Sequence, residues 1–403
     1  MLITRNTCFC SNKLKHEIKF GNLPLINNYK TKKNLTKYPT VVSHCNKCQL
    51  VQLKYSVADK LLFPVDYSYL SGNSKEKLNN FSSLVSIIKK LSKKTKPLVL
   101  DIGSNDGSFL RLAKKKKCKV LGIEPTRTAT ISINKGINTI RKPLDFKIAK
   151  KIINKYPKFD FIVATNFFAQ TNNLLEIIKS IKLLLNKKGL LIIEVQYLHD
   201  LLLQKGFDSF HHEHIAYYTA SSITKLLEKY NIYVFNAEKL KVHGGMLRVY
   251  ASLNKKPYTK KLKNILKEEN DKNIIRKIKE LNLFRIKFNK KIKKLLLNLK
   301  KEGKKIYAMG AAPRSCVLLN SSKLTRKEID IVGEVSQSLK CNKFIPGTDI
   351  MVRDESKIIT DNPDYVIILA WHLKNRIIKL LLKKGYRGNF IVPLPNLKII
   401  KAK

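Results

Sequence analysis

The most constraining feature of the sequence is a short apolar run that ends in a glycine-rich loop. Residues 97–102 read PLVLDI, and residues 103–107, which follow at once, read GSNDG. Residues with helical spacing come next, and further apolar runs lie at 120–124, 159–164, 189–195 and, as an expected edge strand, 246–250. Strands that alternate with helices in this way predict a parallel, doubly wound sheet, so this part of the chain is predicted to be α/β.

The glycine-rich loop predicts a ligand site. Glycine lets the backbone approach a ligand closely, because a Cβ atom there would collide with it. The spacing is Gly103-x3-Gly107, which differs from the GxGxxG of dinucleotide-binding folds, and Glu124 follows about 20 residues on, placed to accept hydrogen bonds from a ribose diol. Together these features resemble the S-adenosylmethionine site of class I methyltransferases, although glycine at a strand-to-helix turn is common in α/β proteins. The expected cofactor contacts are Asp101, Gly103, Asn105, Gly107, Glu124, Pro125 and Asn166.

Length and periodicity predict more than one domain. At roughly 100–200 residues per domain, 403 residues predict two or three. A Lys-rich segment has apolar residues at helical spacing, which predicts an amphipathic interdomain helix or, as the alternative, a membrane-surface helix: Leu281, Phe284, Phe288, Ile292, Leu295 and Leu299. The strand and helix alternation restarts after Gly303. The predicted divisions are 1–74, 75–257, 258–302 and 303–403.

Cysteine residues crowd into the first 48 positions. Cys45-x2-Cys48 has the spacing of a zinc knuckle, whereas Cys8-x-Cys10 is irregular. Four thiolates are the number that a structural Zn²⁺ needs, so Cys8, Cys10, Cys45 and Cys48 are the expected ligands. His16 and His44 are possible substitutes, and free buried cysteines are the alternative interpretation.

The charge of the chain is extreme but diffuse. There are 80 Lys and Arg against 29 Asp and Glu, a net charge of +51 that ordinarily points to nucleic acid, a membrane or an anionic substrate. The lysines are scattered through nearly every segment, which argues against nucleic acid as the partner. No stretch of 18 apolar residues is present and no apolar leader follows Met1. A cytoplasmic monomer without a membrane partner is therefore expected.

The densest cluster of titratable side chains lies at 207–214, FDSFHHEH, which contains three of the eight histidines. It follows the strand at 189–195 and therefore falls near the carboxyl ends of the sheet strands, where α/β proteins bind ligands. Histidine is suited to removing a proton near neutral pH, and Glu213 could orient or charge-stabilise a neighbour. A solvated loop and a metal site are the alternatives.

The order of these motifs resembles the three-domain sugar C-methyltransferases from Cys8 to Pro395. The resemblance rests on the cysteine module, DIGSNDG, HEH and the segments NLPLIN (22–27), GIEP (122–125), FD (207–208), HGG (243–245), LRVY (247–250), GAA (310–312), LLN (318–320), PG (346–347) and AW (370–371). It implies a small zinc-binding N-terminal domain, a Rossmann-like class I methyltransferase domain and a second Rossmann-like α/β domain. It also implies S-adenosylmethionine and Zn²⁺ as cofactors, a nucleotide-sugar substrate, and methylation at C-3 of a 4-keto-deoxysugar.

The same resemblance assigns roles to single residues. It implies that His214 is the general base with Glu213 beside it, and that His211, Tyr67 and Asn166 complete the catalytic group. The expected substrate contacts are Tyr67, Tyr69, Gln170, His243, Arg248, Gly310, Arg314, Asn320, Glu334 and Trp371.

Four positions depart from the family pattern on the side of the sugar. His211 replaces a tyrosine, Gln170 a histidine, Arg314 a lysine and Glu334 an aspartate, and the stretch 70–73 also departs from the serine-rich continuation of the family. A changed acceptor is the preferred interpretation, and an inactive acceptor site is the alternative. Methyl transfer to an oxygen atom and a zinc-containing RNA-binding protein are the alternative functions.

Overall fold

The computed structural model describes residues 2–65, 67, 69–242, 244–269 and 273–402. His243 lies outside the described residues, as do Asp66 and Ser68 beside Tyr67. The amino-terminal part is mostly antiparallel: β1 (Leu2–Thr4), β2 (Lys15–Leu23), β3 (Tyr38–His44), β4 (Val51–Leu53), β5 (Tyr55–Val57) and the short helix α1 (Asp59–Leu62). Strands β2, β3 and β4 form one sheet, and β1 pairs with β5.

The central part is a seven-stranded sheet with helices on both faces. Its elements are α2 (Lys75–Leu91), β6 (Leu98–Ile102), α3 (Ser108–Lys115), β7 (Lys119–Ile123), α4 (Thr128–Asn134), β8 (Thr139–Ile140), α5 (Phe146–Lys155), β9 (Phe159–Thr165), α6 (Leu174–Leu184), β10 (Leu185–Gln196), α7 (Leu198–Leu203), β11 (Ala216–Tyr217), α8 (Ala220–Glu228), β12 (Tyr233–Leu240) and β13 (Met246–Ser252). The strand order is β12-β13-β10-β9-β6-β7-β8. The five strands from β10 to β8 are parallel, so the prediction of a doubly wound sheet is confirmed.

Two features of this sheet differ from the sequence prediction. Strand β13 lies between β10 and β12 and is antiparallel to both, so the prediction of an edge strand at 246–250 is wrong and β12 forms the edge. Strand β11 pairs with β4 and therefore extends the amino-terminal sheet instead of the central one. The segment that carries the histidine cluster thus ends in the neighbouring sheet.

Two helices connect the central and carboxyl-terminal parts, α9 (Lys260–Glu268) and α10 (Ile274–Lys301). The apolar face of α10 is buried as the spacing predicts at Leu281, Phe288, Ile292 and Leu299, and it packs in one hydrophobic core with β2 and the last sheet. No helix within the described residues is long and apolar enough to cross a membrane.

The carboxyl-terminal part is a second Rossmann-like layer. It consists of β14 (Ile306–Met309), α11 (Pro313–Ser321), β15 (Ile331–Glu334), β16 (Met351–Asp354), α12 (Ser356–Thr360), β17 (Tyr365–Ile368), α13 (Lys374–Lys383), β18 (Asn389–Val392) and β19 (Lys398–Ile400). The strand order is β16-β15-β14-β17-β18-β19, and β19 alone of these is antiparallel to its neighbour. In both large sheets the strand order reverses beside the first strand, which places a ligand crevice after β6 and another after β14.

Candidate active site

The loop between β6 and α3 turns at two glycines that have left-handed backbone conformations. Gly103 and Gly107 have φ values of +74° and +72°, a region that side chains with a Cβ rarely adopt. A Cβ on Gly103 would lie 2.9 Å from Cδ2 of Phe167, and one on Gly107 would lie 2.3 Å from Oγ of Ser132. Both glycines are therefore required by the turn itself, and α3 begins immediately after Gly107.

Two carboxylates flank this loop at the ends of neighbouring strands. Glu124 follows β7, accepts a hydrogen bond from the backbone N–H of Asn105 at 3.0 Å, and is held by the N–H and hydroxyl of Thr126 at 2.9 and 2.7 Å. Asp101 is buried at the end of β6, and its Oδ1 has no hydrogen-bond partner among the described residues. Burial raises the pKa of Asp101 well above its usual value.

The segment before α2 covers this loop. The backbone N–H groups of Ser71 and Gly72 donate to Oδ1 of Asn105 at 2.8 Å and Oδ2 of Asp106 at 2.9 Å. Nδ2 of Asn105 donates in return to the carbonyl of Tyr69 at 3.0 Å. Tyr69 thus meets the cofactor loop through its backbone, while its ring lies 5.1 Å from the ammonium of Lys77.

These residues fit S-adenosylmethionine. The orphaned oxygen of Asp101 can pair with a cationic amino group, and the anchored carboxylate of Glu124 retains lone pairs for a ribose diol. Pro125 is exposed beside Glu124. Asn166 follows β9 in left-handed backbone with φ +58°, and its N–H donates to the carbonyl of Glu194 at 2.8 Å. Gln170 is half-buried in the turn that follows.

The histidine cluster lies where the three parts of the chain meet. The rings of His211 and His214 are 4.4 Å apart. Nδ1 of each of the three clustered histidines has no hydrogen-bond partner among the described residues. Burial lowers the pKa of His214 to about 4, helped by the charge of Arg314, and burial lowers that of His211 well below its usual value. Both imidazoles are therefore neutral at neutral pH, and His214 is able to accept a proton.

Glu213 is held by the amino-terminal part. Asn27 Nδ2 donates to its two oxygens at 2.7 and 3.0 Å, and the Tyr67 hydroxyl donates at 3.3 Å. Burial raises the pKa of Glu213 to about 7, while the hydrogen bonds from Asn27 and Tyr67 act in the opposite direction. Burial and the charge of Glu213 raise the pKa of Tyr67 well above its usual value. Tyr67 is thus a neutral hydroxyl beside the histidine loop.

A buried carboxylate joins the histidine loop to the carboxyl-terminal part. Asp208 accepts hydrogen bonds from Nη2 of Arg314 at 2.6 Å and from Nε1 of Trp371 at 2.7 Å. The guanidinium of Arg314 also lies 4.6 Å from the centre of the Trp371 ring. The expected substrate residues Arg314 and Trp371 therefore lie at the cluster and position it.

The crevice after β14 completes the cleft. Gly310 has a φ of +99°. The N–H of the next residue, Ala311, donates to Oε2 of Glu334 at 2.7 Å. Glu334 ends β15, so it lies in the second sheet at the position that corresponds to Glu124 in the first.

Two predicted substrate residues lie elsewhere. Arg248 is 1% exposed, and its guanidinium is bound by Glu194, Glu238 and Asn80 at 2.7 to 2.9 Å, so it ties β13 to β10 and we do not include it in the substrate site. Asn320 is buried and donates to the carbonyls of Cys316 and Pro346 at 2.9 and 2.8 Å, which fixes the turn before Gly347. Its amide N–H donors are therefore occupied by this turn, and its Oδ1 has no hydrogen-bond partner among the described residues.

The four predicted cysteines form a closed cluster. Their Sγ atoms all lie within 4.8 Å of one another, with Cys8 to Cys48 at 3.5 Å and Cys10 to Cys45 at 3.4 Å. Tetrahedral Zn–S bonds of about 2.3 Å place sulfurs about 3.8 Å apart, so the cluster fits zinc. Nδ2 of Asn12 lies 3.2 Å from Sγ of Cys10 and can orient that thiolate. His16 and His44 are outside the cluster, and His44 is hydrogen-bonded to Asn46 and Gln49.

Three residues that hold the histidine loop and the crevice after β14 in place were not predicted from the sequence: Asn27, Asp208 and Lys340. Asn27 and Asp208 lie within motifs that carried the resemblance, but only their contacts show what they hold. Lys340 is one lysine among many in the sequence and gives no signal of its own.

Comparison with known proteins agrees with this three-part arrangement. Family models match residues 8–63 as a zinc binding domain, 77–236 as a methyltransferase domain and 241–395 as a C-methyltransferase C-terminal domain. The C-methyltransferase NovU of Streptomyces niveus is 27% identical over 398 residues, which cover 96% of this chain and 94% of that protein. The resemblance to the three-domain C-methyltransferases is thereby confirmed.

Solved structures are similar over less than half of this chain. The PH0226 protein of Pyrococcus horikoshii OT3 is 19% identical with a TM-score of 0.36, covering 48% of this chain and 97% of that one. Magnesium protoporphyrin IX methyltransferase of Synechocystis PCC 6803, with bound SAH, is 15% identical with a TM-score of 0.35, covering 44% of this chain and 83% of that one.

Proposed function

We propose that this chain, which is an S-adenosylmethionine-dependent methyltransferase with a zinc site, methylates a carbon atom beside the carbonyl group of a nucleotide-linked keto-deoxysugar. Support for carbon as the acceptor atom comes from the carboxyl-terminal family model and from NovU, both of which are named as C-methyltransferases. The observation that carries the proposal is a buried, neutral histidine, His214, on a loop that is bonded through Glu213 to Tyr67 and through Asp208 to Arg314.

Proton removal is the step that the cleft is built to perform. A carbonyl group acidifies the hydrogens on the neighbouring carbon, and neutral His214 takes one of them, which leaves an enolate. Burial and Arg314 keep imidazolium disfavoured before this step. Glu213, the neighbour of His214 in the sequence, is held by Asn27 and the Tyr67 hydroxyl and fixes the histidine loop against the amino-terminal part.

The enolate oxygen needs a hydrogen-bond donor. His211, a neutral imidazole whose ring lies 4.4 Å from that of His214, is the first candidate and replaces the tyrosine that the family pattern has at that position. Tyr67 is the second, provided that its hydroxyl turns from Glu213 to the enolate. Asn166, at the end of β9, is the third candidate. Fixed donors of this kind stabilise charge as it develops, because they do not have to reorganise during the reaction.

Bound S-adenosylmethionine supplies an electrophilic methyl group. The chain's contribution is to fix that donor at the loop between Gly103 and Gly107 and to hold the acceptor on the side of His214. The cover formed by Ser71 and Gly72 restricts water at the loop. His214 keeps the proton that it takes from the acceptor carbon until methyl transfer is complete and then releases it to solvent.

The test is product analysis with a carbon-13-labelled methyl donor and a panel of nucleotide-linked 4-keto-deoxysugars. We expect NMR to show the label bound to carbon for at least one sugar, and the His214→Asn variant to give no detectable product. The matched control is His16→Asn, because His16 is exposed and has a φ of +57°, which asparagine tolerates. Label bound to oxygen would replace the proposal with O-methylation.

A further inference from the structure

Lys340 places an ammonium group in the cleft between the second Rossmann-like crevice and the histidine loop. Its Nζ donates to the carbonyl of Ala311 at 2.7 Å and lies 5.1 Å from the centre of the Tyr29 ring. The Tyr29 hydroxyl donates to the same carbonyl at 2.9 Å. One carbonyl oxygen therefore fixes a residue of the amino-terminal part and a cation of the carboxyl-terminal part.

The hydrogen-bonding capacity of this ammonium is not used up. An ammonium has three N–H donors, and within the part of the chain that the structure describes one of them is used, on Ala311. Glu213 and Glu334 face it, but no carboxylate of the described residues is close enough to form an ion pair with it. Both carboxylates have nearer partners: Asn27 and Tyr67 on Glu213, and the N–H groups of Ala311 and Val335 on Glu334.

The surroundings favour an anionic ligand over a neutral one. Burial lowers the pKa of Lys340, and the charges of Glu334 and Glu213 oppose this. A ligand oxygen that carries negative charge can accept from the two remaining N–H groups in a charge-assisted hydrogen bond, which is stronger than one to a neutral oxygen. Sugar hydroxyls can accept these hydrogen bonds but bring no charge.

We propose that Lys340 is a specificity-determining residue that binds an anionic, phosphate-type oxygen of the acceptor. The assignment rests on the proposed function, because it takes the cleft as the acceptor site. In this role Lys340 requires negative charge on the acceptor for binding, whereas His214 removes the proton.

The test is calorimetric titration of the zinc-loaded full chain with inorganic pyrophosphate at physiological ionic strength. The principal variant is Lys340→Gln, because glutamine can still donate to Ala311 but carries no charge. We expect its pyrophosphate affinity to fall roughly 10- to 100-fold, as for the loss of a charged hydrogen-bond donor. Lys340→Arg keeps the charge and should retain most of the affinity.

The matched control is Lys327→Met, which removes an exposed lysine from a turn of the same carboxyl-terminal part. It should bind pyrophosphate as the wild type does. Wild-type affinity in Lys340→Gln would overturn the assignment and leave Lys340 a structural tether, and an equal loss in Lys327→Met would reduce the effect to net charge. If Lys340→Gln fails to fold, Lys340→Arg decides: lost affinity in that folded, charged variant overturns the proposal.

Turnover separates this inference from the proposed function. With a nucleotide sugar that the wild type methylates, Lys340→Gln should raise KM for the sugar and leave donor affinity unchanged. If no sugar is methylated but pyrophosphate binding still depends on Lys340, the proposed function fails and the anion site stands. If sugars are methylated with an unchanged KM in Lys340→Gln, the reverse holds.

Discussion

We predict that Asp208 is the residue that contributes most to the stability of the contact between the histidine loop and the carboxyl-terminal part. Its side chain is 0% exposed and that of its ion-pair partner Arg314 is 13% exposed, so solvent screens the pair very little. Removing one member of a buried ion pair costs about 3–5 kcal/mol, because the other charge stays buried and unpaired. Asp208→Ala also leaves the indole N–H of Trp371 without its acceptor. We expect the free energy of unfolding of this region to fall by about 3–5 kcal/mol.

The chain provides its own probe for this measurement. Trp371 is the only tryptophan in the sequence, so its fluorescence during urea denaturation follows the region that contains the bridge. The control is Glu176→Ala, which breaks an exposed pair with Lys179, with side chains 43% and 57% exposed, and should cost no more than about 0.5 kcal/mol. Asp208→Asn should lie between the two, because the amide oxygen can still accept one hydrogen bond. Equal urea midpoints for Asp208→Ala and Glu176→Ala, with unchanged m values, would show that the buried pair of Asp208 and Arg314 does not stabilise this region.

Three further predictions concern the cofactor loop, the metal and pH. Glu124→Ala should weaken S-adenosylmethionine binding by about 1–3 kcal/mol through loss of a charged acceptor, and calorimetry showing unchanged affinity would remove Glu124 from the cofactor site. Elemental analysis should find one zinc per chain, and Cys45→Ser with Cys48→Ser should release it and destabilise the amino-terminal part; retained metal would exclude these cysteines as ligands. Burial lowers the pKa of His212 from 6.5 to about 4, so its contribution to stability is present above pH 6.5 and is lost as pH falls toward 4. His212→Gln should flatten the pH dependence of the urea midpoint in that window, and an unchanged slope would contradict this.

Local sequence signals predict the parts of the fold that depend on local physics. The glycines of the cofactor loop have positive φ, Glu124 ends the second strand, and the four cysteines meet around one point, as their spacing indicates. The apolar face of α10 is buried because helical spacing is sufficient to define it.

Long-range partners explain where prediction from sequence fails. Arg248 could be assigned to a substrate because nothing near it in sequence shows that Glu194 and Asn80, 54 and 168 residues away, occupy its guanidinium. Strand β11 is two residues long, too short for any periodicity to indicate that it joins the amino-terminal sheet. Lys340 is hidden among scattered lysines, and only its contact with Ala311 distinguishes it.

The most direct test of His214 as the general base is hydrogen exchange at the acceptor carbon of a nucleotide-linked keto-deoxysugar. The exchange is measured by NMR in D₂O without methyl donor. This measurement isolates proton removal from methyl transfer. We expect the wild-type protein to exchange the hydrogen beside the carbonyl and His214→Asn to slow the exchange by roughly 10²–10⁴, with donor affinity unchanged. Exchange at the wild-type rate in His214→Asn would contradict the central claim and assign the base to another residue, with His211 tested next.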